Sequence, residues 1–122
     1  MYVIKSDFGE EQMSDEIKMQ IITYCEAIKT GTKPVAMLSI QSRYVEEVKL
    51  YIEYEGLKIH IRSSEGDENW KVVFIYKYDY LLDVIKSAPE YPNSIFEHWM
   101  LGKLFGYSDE AIKDFLATLY DM

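Results

Sequence analysis

A chain of 122 residues with 48% hydrophobic and 28% charged side chains has ordinary globular composition and can bury one core without metal or disulfide staples. Its 21 acidic against 13 basic residues, net charge −8, would repel a duplex backbone and so disfavour general DNA or RNA binding. The acidic balance leaves room for a small anionic ligand, because a pocket needs only two or three local donors.

No run approaches the ~18 apolar residues of a membrane helix, and the opening MYVIKSDFGEEQ lacks the basic and apolar stretches of a signal peptide. A cytoplasmic protein is expected. Tyr2 to Lys5 reads as a short strand and Ser6 to Met13 as a polar connector. From Ser14 the pattern turns helical: Ile17, Ile21, Tyr24, Cys25 and Ile28 recur on one face, Ser14 caps the start, and Gly31 follows the end. The single cysteine, Cys25, lies on that apolar face and reads as a buried structural thiol.

Pro34 opens a strand-like run, Val35 to Ile40. A second run alternates from about Val45, and Glu55-Gly56 stands between Val48-Leu50-Ile52-Tyr54 and Leu57-Ile59-Ile61. That pattern predicts a hairpin pairing Tyr54 with Leu57, Ile52 with Ile59 and Leu50 with Ile61 on a core face. Ser63 to Asn69 reads as a longer loop into a strand from Trp70 to Lys77, whose Val72, Phe74 and Tyr76 are expected to join the same core face. Val73 and Ile75 then point the other way, as in a central strand covered on both faces or one buried at a subunit contact.

The remainder is helical. Asp79 can cap a helix through Ile85, Pro89 and Pro92 break it, and Asn93 or Ser94 starts a second helix, which Gly106 ends and which is apolar around much of its circumference. Ser108 caps the last helix, with Ile112, Phe115, Leu116 and Leu119 on one face. The expected fold class is α+β: an antiparallel sheet with an N-terminal helix and C-terminal helices. It forms a single domain, 1–122, with a β-rich core over about 1–77 and helices over about 79–120.

Chemistry-bearing motifs are few. His60 and His98 stand on different elements without a metal-spaced partner or a nucleophile in a recognisable elbow. The acidic pairs Glu46-Glu47 and Asp109-Glu110 read as solvated faces or caps, and the scattered glycines make no phosphate loop. The last helix carries too many acids, Asp109, Glu110, Asp114 and Asp121 against Lys113, for a groove-reading helix-turn-helix. No catalytic residue, metal site or cofactor is expected. Eleven tyrosines offer stacking platforms, although most aromatic residues serve a core or an interface.

The segment His98-Trp99-Met100-Leu101-Gly102-Lys103-Leu104-Phe105-Gly106-Tyr107-Ser108, following a β-rich part, resembles small phage proteins of the Thoeris anti-defence sponge family, first type. The resemblance covers about a tenth of the chain, and its stretch is as much a packing motif as a functional one. It implies a non-enzymatic protein of the bacterial host cytoplasm that sequesters glycocyclic ADP-ribose, and in some relatives cyclic oligonucleotides, so that an effector is never activated. Such a ligand needs cations for phosphate and flat platforms for its purine. The candidates are Arg43 and Arg62, the only two arginines, for phosphate; Asn93, His98 and Lys103 for phosphate or ribose; and Trp99, Phe105 and Tyr107 for stacking. Two other readings stay open: an acidic inhibitor covering a host defence protein, and a structural or hydrolytic phage protein. The apolar Val73, Ile75 and helix 94–105 predict a homodimer or higher homo-oligomer.

Overall fold

The structure, a computed structural model, describes residues 13–64 and 66–121. The expected opening strand, Tyr2 to Lys5, lies outside them. Five helices and three strands follow in the order α1 (Asp15–Lys29), β1 (Val35–Gln41), α2 (Val45–Tyr54), β2 (Lys58–Ser64), β3 (Asp67–Tyr76), α3 (Tyr80–Ser87), α4 (Ile95–Leu104) and α5 (Asp109–Tyr120), with a 3₁₀ turn at Ser42–Tyr44 before α2. The strands form one antiparallel sheet in the order β1-β3-β2, so the α+β architecture with an N-terminal helix and C-terminal helices stands.

Capping chemistry sets several helix ends. Ser14, Ser94 and Ser108 each accept a hydrogen bond from the backbone N–H three residues on. At the other ends Gly31, Gly56 and Gly106 take left-handed φ of 82°, 78° and 82°, and each is the residue after a helix C-cap. The Gly56 N–H donates to the Glu53 carbonyl and the Leu57 N–H to the Ile52 carbonyl, the paired bonds of a Schellman motif. Gly31 with Thr32, and Gly106 with Tyr107, repeat that pattern.

This overturns the expected hairpin at Glu55-Gly56. A two-residue type I′ turn needs positive φ at both central positions, whereas Glu55 has φ −78° and only Gly56 crosses over. Val45, Val48 and Ile52 fit an alternating strand only in part, and they also make a helical stripe with Tyr51. Burial decides between the two periods. Those four residues are buried in α2, while Leu50 and Tyr54, which the hairpin would have placed in the core, are exposed.

The true hairpin is the next one. β2 and β3 pair from Lys58 opposite Tyr76 to Ser64 opposite Asp67, with a register shift at Ser63/Ser64, so the strands run well into the expected loop 63–69. The pairing sets Ile59 opposite Ile75 and Ile61 opposite Val73, rather than on one face with Phe74 and Tyr76 as the alternation suggested.

The sheet is covered on both sides. Val73 and Ile75 are fully buried in one cluster with Leu38 and Ile40 of β1, Ile21, Cys25 and Ile28 of α1, and Val48 and Ile52 of α2. On the opposite face Val35, Phe74 and Tyr76 pack with Leu81 and Ile85 of α3 and Leu104 of α4. The apolar pair Val73 and Ile75 is therefore accounted for within the chain, which removes its support for a subunit contact. Cys25 is buried, and burial pushes its thiol up to about 11. An inert, structural thiol fits that environment.

A polar clamp ties the two helices of the first face. The Lys29 ammonium donates to Glu55 at 2.9 Å and the Tyr51 hydroxyl donates to the other Glu55 oxygen at 2.9 Å. Hydrogen bonds from Lys29 and then Tyr51 lower the Glu55 carboxyl below its ordinary range.

Candidate functional site

The period-2 alternation of β2 turns His60 and Arg62 toward the second face of the sheet, because their partners are Phe74 and Val72. The Arg62 guanidinium sits 4.9 Å from the centre of the Phe74 ring, a cation–π placement. One of its nitrogens donates to the Ile85 carbonyl at 3.1 Å, in the last turn of α3, where the helix dipole favours a cation. Arg62 therefore closes the end of α3 with one N–H of its five-donor fork.

Arg62 also lines a groove of about 480 Å³. Its floor is Met37, Val72 and Phe74; one wall is the Ala88–Pro92 loop carrying Glu90 and Tyr91, and the other is Leu101 of α4 with Phe105, the C-cap of that helix. The loop has a local cause. Ala88 is extended, with φ −69° and ψ 137°, because the Pro89 ring disfavours helical backbone in the residue before it.

A second groove, of about 450 Å³, runs between α4 and α5 and is lined by His98, Gly102, Tyr107, Ala111 and Phe115 together with Leu101 and Phe105 again. Leu101 and Phe105 thus belong to both grooves. Gly102 allows the helices to close: a Cβ there would stand 2.7 Å from Ile112 Cγ1 and 2.9 Å from its Cδ1. The His98 ring meets Phe115 edge-on at 5.5 Å and Tyr120 at 5.8 Å between centres.

Lys33 fixes the far end of α4. Its ammonium donates to the Phe105 carbonyl and lies 5.1 Å from the centre of the Tyr107 ring and 5.7 Å from that of Tyr24. Desolvation by burial lowers its pKa from the ordinary lysine value.

Of the eight residues singled out in the sequence, four line these grooves: Arg62, His98, Phe105 and Tyr107. The other four stand apart from both linings. Arg43 is exposed, donates from Nε to Gln41 at 2.8 Å and stacks 4.8 Å from the Tyr44 ring. Asn93 is exposed, and its backbone N–H donates to the Glu97 carboxylate. Trp99 points outward, with Lys103 5.9 Å from its ring, and Lys103 is ion-paired with Asp109. Sequence reasoning missed Met37, Phe74 and Tyr91 as groove residues. The spacing Pro89-Glu90-Tyr91-Pro92 was a usable signal, since two prolines hold an aromatic in a stiff loop; nothing marked Met37.

Among the described residues no group of three or more His, Cys, Asp or Glu side chains could hold a metal ion, and no helix is long and apolar enough to cross a membrane. No family model matches the sequence, and no curated protein matches it. The chemistry of the grooves is one guanidinium, one imidazole, the Ser64 hydroxyl, the exposed Glu90 carboxylate and several aromatic faces, a set that can recognise a ring compound whose anionic group reaches Arg62.

Proposed function

We propose that this chain is a non-enzymatic binding protein that holds the phosphate of a nucleotide signal at Arg62 and withholds that signal from its effector. The carrying observation is the Arg62 guanidinium, anchored over Phe74 and on the Ile85 carbonyl at the edge of a concave groove. Anchoring lowers the entropy lost when a planar fork engages phosphate. On the resemblance of the HWMLGKLFGYS segment, the signal is glycocyclic ADP-ribose or a cyclic oligonucleotide, and the setting is a phage protein acting in the bacterial host cytoplasm. The ligand is bound and returned unchanged.

The test is mass spectrometry of small molecules released by heat from protein purified out of cells with an active TIR enzyme. An intact cyclic nucleotide is the expected result, lost with Arg62→Met. Release of a hydrolysed product, or of nothing, overturns the reading.

One observation favours a protein contact as a second reading. Ile95, Phe96 and Trp99 form an exposed arc on α4, more apolar surface than a solvated helix face ordinarily carries. The expected homodimer or higher oligomer rests on this arc, while the alternative of an acidic inhibitor covering a basic surface of a host defence protein rests on the net charge of −8. Light scattering and co-purification separate them.

A further inference from the structure

We propose that the groove between α4 and α5 holds the uncharged base of the same nucleotide whose phosphate Arg62 takes. The inference rests on the binding reading above. It deepens that reading by dividing the ligand between two chemically different compartments.

Among the described residues, the lining of the α4–α5 groove contains no lysine, arginine or carboxylate. Lys33, 5.1 Å from the Tyr107 ring, already donates to the Phe105 carbonyl, so a phosphate meets no counter-charge in the lining itself, and burying one unpaired is costly. What the groove offers is aromatic and aliphatic surface from Phe105, Tyr107, Phe115 and Leu101, on which a flat heteroaromatic ring is well accommodated. Its volume, about 450 Å³, lies in the range of small-molecule pockets, roughly 300–1,000 Å³.

His98 adds the polar handle. Its ring, oriented by Phe115 and Tyr120, brings a nitrogen donor or acceptor that can meet a ring nitrogen or an exocyclic group of a base. A fixed orientation matters because a hydrogen bond read by a rigid group discriminates between ligands, whereas a mobile one adapts.

The two compartments adjoin. Leu101 of α4 and Phe105, the C-cap of that helix, line the Arg62 groove and the His98 groove alike. The Lys33 bond to the Phe105 carbonyl and the Lys33 stacking on Tyr107 fix this dividing wall. A molecule with an anionic group joined through a sugar to an uncharged ring matches the sequence of chemistries from one side of the wall to the other.

Calorimetry on the full chain with three probes, inorganic pyrophosphate, adenosine and ADP, separates the two claims. Ala111, exposed on α5 and lining the second groove, is the position to block. Ala111→Phe is expected to weaken adenosine and ADP by tenfold or more and leave pyrophosphate unchanged. Arg62→Met is expected to weaken pyrophosphate and ADP and leave adenosine unchanged. If Ala111→Phe leaves ADP affinity intact, or adenosine does not bind the unmodified chain, the base-pocket inference falls while the Arg62 reading stands. If pyrophosphate binding survives Arg62→Met, the Arg62 reading falls. Nuclear Overhauser contacts between adenine protons and the Phe115 ring in the unmodified protein check the placement without relying on any variant. Their absence at saturating ADP overturns it.

Discussion

The two faces of the sheet are built to different standards of closure. On the first, α1 and α2 press Ile21, Val48, Ile52, Val73 and Ile75 out of contact with water, and the Lys29–Glu55–Tyr51 clamp seals the helix ends. On the second, α3 and α4 cover only part of the strands. Met37 stays nearly half exposed, Arg62 and His60 stand on the strand surface, and grooves open on both sides of Leu101 and Phe105. The same β3 serves both faces. Its Val73 and Ile75 are load carried inward to a closed core, and its Val72 and Phe74 floor a recess. Separating the two jobs by side of the sheet lets the recess accept polar groups at no cost to the packing that holds the fold.

The contrast is most directly broken at Ile75. Ile75→Ala removes three carbons from a site with no exposed surface and is expected to lower unfolding free energy by ~2–5 kcal/mol in urea. Met37→Ala, on the open face of the neighbouring strand, is expected to cost under ~1 kcal/mol, because much of its side chain already meets water. Equal losses at the two positions would show that the faces carry equal weight.

Next in size is the seam between α4 and α5. Gly102→Val sets branched carbons against Ile112, whose Cγ1 lies 2.7 Å from the position of an added Cβ. Overpacking of ~1–3 kcal/mol is expected, read as a lower midpoint of thermal unfolding. Gly102→Val together with Ile112→Ala should recover part of it. No recovery would mean that the helices do not close at this point.

The smallest effect is electrostatic and belongs to the open face. Burial, followed by the charges of Arg62 and Lys86, lowers the His60 pKa below its ordinary 6.5. The folded state then binds fewer protons than the unfolded chain, so stability is full above pH ~6.5 and declines as pH falls from there through the folded value. The expected observation is a melting temperature that drops between pH 7 and pH 5, with a shallower drop in His60→Gln. An identical pH profile in the variant would remove His60 from the account.

Local chemistry made much of this legible in the sequence. The helix behind Ser14, the Ser108 cap and the stops at Gly31 and Gly106 were readable because each is fixed by neighbours within four residues. The segment from Val45 to Tyr54 was not, since Val48 and Ile52 satisfy both a period of two and a period near four, and only tertiary contact shows that Leu50 and Tyr54 face water. Arg62 stood out through the scarcity of arginine. Its surroundings did not, because Met37, Phe74, Tyr91 and Phe105 come from four separate elements whose meeting depends on strand register and on the loop after Pro89.

The strand order β1-β3-β2 also fixes an order in time. β2 and β3 follow each other closely in sequence, so their pairing closes a short loop, while Val35 of β1 must find Tyr76 across all of α2 and the hairpin. Loop closure of that length is slow and entropically late. The hairpin is accordingly expected to be structured in the folding transition state, with β1 docking last. In a kinetic series, Ala36→Gly would then speed unfolding and leave the folding rate nearly untouched.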